Sequence, residues 1–282
     1  MADVITGDTA TDVLKQTLVA NMMQRQLISQ SVLLGSILDV SQFAVSGADE
    51  IEFPRMGNMV VTKKVSGTPV DAQAITFATD KLLLNQHAVV QWLIEKKANK
   101  QANVNLEMAN LQNATKSHAK QVDVDIHAML IAGVSAAAPD HILAFANATT
   151  FARADVVEGL SLLDAQEFPD EGRYIAVNPT DHASLLNIVD FIDVSKYGST
   201  RPVQNGELGM LFGATVLKST VVTSGRPLIY QKECAAIGFQ LDPMYDSDKD
   251  LPNVAQRYSI DQLYGLKVLQ LGKGIVRYGS AV

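Results

Sequence analysis

From Ala98 to Gly133 the chain runs without a proline, and its only glycine is the residue that closes the stretch. Within it Val104, Met108, Leu111, Val122, Ile126, Met129 and Leu130 recur at intervals that keep one helical face apolar, and His118 and Ala119 carry the stripe through a polar middle. That periodicity predicts a long helix with a narrow apolar face. Asn99 or Asn103 can cap its start, and Gly133 can end it in the left-handed conformation. About 30 residues at about 1.5 Å each make a rod of roughly 45 Å, long for one globular domain. Its other faces are Asn, Gln, Lys and Asp, so the rod is supported along one side and meets water or another molecule on the other. A long helix in an ordinary α+β enzyme satisfies the same pattern.

The segments around this rod constrain it further. Thr11 to Leu38 has helical spacing (Val13, Leu14, Leu18, Met22, Met23, Leu27, Ile28, Val32, Leu34), with Thr11 or Asp12 as cap. Its apolar content predicts that it lies on another surface. Phe43 to Gln91 changes to β character: Ile51, Phe53, Met59 and Val61 alternate, and Pro54 and Gly57 mark a bend or bulge. Ser66-Gly67-Thr68-Pro69 supplies turn chemistry, and the chain then runs back toward Lys97. A long hairpin that is polar on both faces near its tip cannot bury itself, so this arm either flaps or docks outside its own domain.

Past Gly133 an α/β unit is expected: a helix over Asp155–Gln166 capped by Asp155, a short buried strand Tyr174–Val177, and a helix from Asn178 or Thr180 through Leu186. The stretch KYGSTRPVQNGELG is roughly 14 residues with little core, a length of loop that is usually functional. GMLFGATVLKSTVV returns as a strand, and Pro227 to Phe239 holds another. An acidic loop, LDPMYDSDKDLP, precedes two closing β segments in YSIDQLYGLKVLQLGKGIVRYGS.

Composition narrows the function. The 282 residues are 47% hydrophobic and 19% charged, which is ample for a packed core and outside the disorder regime. A single cysteine, Cys234, excludes an intrachain disulfide framework and fits a reducing cytoplasm. No stretch reaches the roughly 20 apolar residues of a membrane helix. The first residues carry acids where a signal or transit peptide would be basic, so a soluble product made in the cytosol is expected. A net charge of −7 disfavours general nucleic-acid binding. The charge is uneven: Met56–Lys120 is locally +4, which leaves −11 on the rest of the chain. A basic segment on an acidic body can attract DNA weakly, attract the acidic part of an identical neighbour head to tail, or simply be solvated.

No catalytic constellation survives inspection. Asp246, Asp248 and Asp250 open like a calcium loop, but Leu251 and Arg257 stand where the Gly and Glu are required. Gly206, Gly209 and Gly213 have neither dinucleotide nor phosphate-loop spacing. Cys234 lies in the apolar run CAAIGF, where a buried inert thiol is expected. His87, His118, His127, His141 and His182 never pair at zinc-enzyme spacing; His118 and His127 are expected to be packing or edge residues.

Taken in order, the chain resembles the major capsid proteins of tailed bacteriophages of the Hong Kong 97 type. Four stretches carry the likeness over nearly the whole chain. ADEIEFPRMGN is similar to the lead into that family's extended loop. The arm followed by KKANKQANVNLEMANLQNATKSHAKQVDVDIHAML is similar to its spine helix. ADVVEGLSLLDAQEFPDEGRYIAVNPTDHASLL is similar to the opening of its axial domain. GMLFGATVLKST and YGLKVLQLGKGIVR are similar to its closing strands. The resemblance implies an α+β fold with an N-terminal arm over 1–48, an extended β-hairpin loop over 49–82, a peripheral domain over 83–150 and 256–282 around the spine helix, and an axial domain over 151–255. Its loop near the capsomer axis would be Asp193–Gly209.

The function implied is a non-enzymatic, cofactor-free shell subunit. It would self-assemble into the hexamers and pentamers of an icosahedral head around packaged double-stranded DNA, held non-specifically. Inter-subunit contacts are expected at Arg55, Lys63, Lys64, Thr68, Pro69, Tyr197 and Arg201. Expected partners are further copies of itself, a scaffolding protein, a portal and a decoration protein, with assembly in the bacterial cytoplasm and no membrane. The arm begins almost at Met1, so a separate scaffolding protein, or a cut already made, is expected in place of a fused scaffold segment. Lys63 and Lys64 lie in the loop, but no Asn with a catalytic Glu can be assigned to them, so a covalent cross-link is not expected. An encapsulin-like nanocompartment shell of the same fold is the alternative, and an α+β enzyme the more distant one.

Overall fold

The computed structural model describes residues 31–57, 59–67, 69, 72–75, 77–102, 105–135, 140–146, 150–186 and 209–279. Two sheets and a projecting hairpin organise them. The first sheet has the order β1-β10-β11-β4 and is built from β1 (Leu38–Asp39), β4 (Gln86–Glu95), β10 (Ala235–Asp250) and β11 (Ala255–Val268). The second has the order β5-β12-β9-β6-β8-β7, from β5 (Ile142–Leu143), β6 (Arg173–Val177), β7 (Met210–Leu211), β8 (Ala214–Lys218), β9 (Leu228–Gln231) and β12 (Ile275–Tyr278). The hairpin pairs β2 (Glu50–Met56) with β3 (Phe77–Leu83).

The predicted rod is present as two helices. A short one, α1 (Lys96–Gln101), follows β4 directly, and the long one, α2 (Leu106–Ala132), starts after Asn105. Asn105 Oδ1 accepts the Met108 N–H at 3.2 Å, so the cap is Asn105; Asn99 lies inside α1, and Asn103 is outside the described residues. Its 27 residues span about 40 Å. The buried stripe repeats every fourth residue at Ala114, His118, Val122, Ile126 and Leu130, with Asp123 and His127 beside it. Met108 is half exposed and does not belong to the stripe; Val104 lies outside the described residues. Gly133 does end the helix, but for a different reason from the one predicted. Its φ is −88°, and a Cβ there would overlap the Val268 side chain of β11. Close approach selects the glycine, and the left-handed conformation does not.

Packing α2 across β11 and β4 makes the larger core. Leu33, Ile37, Val122, Ile126 and Leu130 meet Tyr230, Ile237, Tyr264 and Ile275, so both sheets contribute to one apolar cluster. A second cluster lies under α3 (Arg153–Ala165) and α4 (Pro179–Leu186), where Val156, Leu160, Leu163 and Leu185 cover Ile175, Val177, Ile229 and Tyr278. Asp155 caps α3 from its third residue, accepting the N–H groups of Ala152 and Ala146 at 2.7 Å each. Asn178 Oδ1 accepts Thr180 N–H at 3.1 Å at the start of α4.

Two expectations are corrected. The helix predicted over Thr11–Leu38 does not reach its end: Leu34–Ser36 is a 3-10 turn and Leu38–Asp39 a strand, while 11–30 lies outside the described residues. The acidic stretch is not a loop but the outer half of β10, paired with β11 from Met244↔Asp261 to Asp250↔Ala255. A domain boundary at 255/256 would therefore divide this hairpin, one residue into β11. The closing β segments do exist, but they separate: β11 joins the first sheet and β12 the second. No helix among the described residues is long and apolar enough to cross a membrane.

Candidate assembly surfaces

The β2–β3 arm is fastened at its base and bare beyond it. Ile51 and Leu82 are buried with Val40, Leu84, Ala236 and Leu269. Glycine makes this seat possible, because a Cβ on Gly265 of β11 would overlap the Leu83 carbonyl. Across the two strands Lys81 Nζ lies 2.5 Å from Glu50 and 2.8 Å from Glu52. These carboxylates raise the Lys81 pKa, and Lys81 lowers that of Glu52. The cluster is exposed, so it aligns the strands more than it stabilises them.

Outward from Met56 the apolar side chains lose their cover. Met56, Met59, Val60, Val65, Ile75 and Phe77 are each more than half exposed, and Val61 reaches 91%. Gln73 holds the two sides together through its side chain, whose Oε1 accepts the Val60 N–H at 3.0 Å and whose amide donates to the Val60 carbonyl. Gly67, with φ +89°, makes the turn. A hairpin of this form offers apolar area and unpaired backbone to whatever it meets.

Of the contact residues named from the sequence, Arg55 is half-buried on β2 opposite Ala78, and Lys63, Lys64 and Pro69 are exposed along the arm. The structure thus brings these four onto one projection. Thr68, Tyr197 and Arg201 lie outside the described residues.

A second long hairpin is the outer half of β10–β11. It is held on one side by β4 and from below by α2. Glu107 at the start of α2 accepts the Tyr245 hydroxyl at 2.5 Å and the Tyr258 hydroxyl at 3.4 Å. Trp92, Tyr258 and Tyr245 stack in sequence with centroids 5.7 and 6.0 Å apart. Burial raises the pKa of both tyrosines, with Glu107 adding to it. Sequence reading missed Glu107, whose only signal was an acid in the first turn of a helix. At the end of the hairpin Leu251 and Val254 are exposed.

Asp246 and Asp248 alternate along this strand, and Asp250 pairs with Arg257 at 2.8 Å, which lowers its pKa. The aspartates therefore stand along a strand edge and form no cation-binding loop. Among the described residues no group of three His, Cys, Asp or Glu is arranged to hold a metal ion. Cys234 is fully buried, and burial pushes its thiol up to about 12, the inert thiol expected of it. His118 is a packing residue, its Nε2 3.2 Å from the Ile260 carbonyl, and His127 is buried with its pKa lowered by that burial.

No family model and no curated protein matches the sequence. Solved structures do match over most of its length. A chain of Mycobacterium phage Che8 is similar at TM-score 0.76 and 20% identity, covering 89% of this chain and 91% of that one. The capsid of the cyanophage P-SCSP1u matches at TM-score 0.73 and 15% identity, covering 89% of each. The capsid of a native GTA particle matches at TM-score 0.69 and 12% identity, over 91% of this chain and 92% of that one. At such identities the likeness is one of fold, and it holds nearly end to end. The chain has the α+β shell fold of the Hong Kong 97 type, the fold of bacteriophage capsids.

Proposed function

We propose that this chain is the major capsid protein of a tailed double-stranded DNA bacteriophage, assembling into the hexamers and pentamers of an icosahedral head. The observation that carries the reading is the arm. Its base is packed on its own body, and its outer half presents a run of apolar side chains that nothing among the described residues covers. A second copy is the occupant such an arm fits. Arg55, Lys63 and Lys64 outnumber Asp71 along its outer part and make that part basic, while Asp246 and Asp248 make the outer edge of β10 acidic, a head-to-tail complementarity.

Within this reading 1–48 forms the amino-terminal arm and 49–82 the extended loop. The strand pairings support assigning 235–254 to the peripheral unit with β4, β11 and α2, and 142–143 and 275–278 to the axial unit. Thr68 and Pro69 belong to the contact at the loop tip, and Tyr197 and Arg201 to the contact near the capsomer axis. Packaged DNA is held without sequence preference, and a scaffolding protein, a portal and a decoration protein complete the head in the bacterial cytoplasm.

Deleting Lys63–Ala72 tests the arm's role. The expected product is a folded monomer, unchanged in circular dichroism and melting temperature, that no longer closes into shells. Normal particles by electron microscopy would refute the role. Nucleic acid recovered from wild-type particles supports a genome container, whereas an enclosed enzyme would point to a nanocompartment shell.

A further inference from the structure

One carboxylate fastens the first of the described residues to the long helix. Asp123, in the middle of α2 and 2% exposed, accepts the Ser31 hydroxyl at 2.6 Å, the Val32 N–H at 2.8 Å and the Leu33 N–H at 3.1 Å. An acid that collects backbone N–H groups at the start of a turn is a cap. Here the cap acts in trans, from a residue 90 positions away, on the turn Leu34–Ser36. The contacts that follow are of other kinds. Leu33 and Ile37 enter the core beside Val122, Ile126 and Leu130, the Ser36 hydroxyl meets that of Tyr230 at 2.5 Å, and β1 pairs with β10.

Aspartate is a poor residue for the middle of a helix, and a buried carboxylate loses its hydration. An apolar residue would serve both α2 and its core better. The donors of Ser31–Leu33 are what offset that cost, so the identity of residue 123 serves the incoming segment and not the helix. With both oxygens engaged, the pin fixes the position and the direction of the backbone at Ser31.

We propose that Asp123 is a positioning residue of assembly: it sets where on α2, and in which direction, the backbone runs at Ser31–Leu33, and closure of the shell depends on that placement. This rests on the shell reading of the preceding section.

The test uses the full chain. Asp123→Asn keeps the side chain's shape but turns an amide toward backbone donors. The expected result is chymotryptic cleavage after Leu33 or Leu34, mapped by mass spectrometry, at least tenfold faster than in the wild type. The yield of closed particles should fall at least tenfold. Ile175→Val, in the other sheet and without contact to this segment, serves as a stability control; it should lower the melting temperature while leaving both readouts unchanged. Val32→Pro removes one donor from outside α2 and should reproduce the phenotype, with the double variant no worse than either single one. Ser31→Ala, the mildest change, should give a smaller shift in the same direction and covers the case in which Asp123→Asn fails to fold. Unchanged cleavage overturns the pin. Faster cleavage with normal particle yield overturns its role in assembly. A wild-type chain that forms no particles overturns the shell reading, and this role with it, while the cleavage assay still reports on the pin.

Discussion

Among the described residues two long antiparallel hairpins meet opposite fates. In β10–β11 the outer strands have β4 as a third neighbour, α2 beneath them, and the Trp92–Tyr258–Tyr245 stack tied to Glu107. In β2–β3 only Ile51 and Leu82 at the base are buried, and the apolar side chains beyond them face outward. Pairing alone does not hold a hairpin; a third strand or a helix on one face does. The body places its long helix under one hairpin and leaves the other uncovered among the described residues.

The contrast can be broken at graded strength. Tyr258→Ala removes a ring 2% exposed at the centre of the stack and should cost about 3–5 kcal/mol in urea unfolding. Phe77→Ala, the deletion of a similarly large ring on the arm, should stay within about 0.5 kcal/mol. Equal losses at the two positions would erase the distinction. Glu107→Gln weakens two tyrosine hydrogen bonds that tie the anchored hairpin to α2, and a loss of about 1–2 kcal/mol is expected by the same measurement.

A smaller effect comes from His127 on α2. Its burial lowers its pKa below the ordinary value near 6.5, so between about pH 7 and 5 the unfolded chain takes up a proton that the folded chain does not. Stability should therefore fall on acidification, and His127→Leu should make that fall shallower. A profile of the same slope in both proteins would assign the acid sensitivity elsewhere. The smallest effect on folding is expected on the arm. Changing Arg55, Lys63 and Lys64 together to Glu should leave the melting temperature within about 2 °C. Assembly should weaken, with a changed dependence on ionic strength. Yields that ignore both charge and salt would remove electrostatics from the arm's contact.

What the sequence made legible follows the same division. Local chemistry announced the arm, the long helix and the strand at Tyr174–Val177, because turn residues and apolar spacing are written along the chain. Readings failed where a distant segment decided the outcome. DSDKD is poor strand material by composition, yet the Tyr245 hydrogen bond to α2 and the pairing with β11 hold it extended. VLLGSIL continues a helical spacing past Ser31, yet Asp123 captures the backbone first. Gly133 was legible as a terminator, but its reason lies in Val268, far away in sequence. Asp123 itself had one faint signal, an acid falling beside Val122 and Ile126 on the apolar stripe. Arg55, Lys63, Lys64 and Pro69 could be assigned to the arm from the sequence, whereas the surface they meet in the proposed shell could not.

Electron cryomicroscopy of particles formed by the full chain tests the central claim most directly. The account predicts closed shells in which residues 57–76 lie across a neighbouring subunit, with Val61 and Phe77 out of solvent. Discrete monomers or small oligomers at every concentration, or shells whose arms project into solvent, would contradict it.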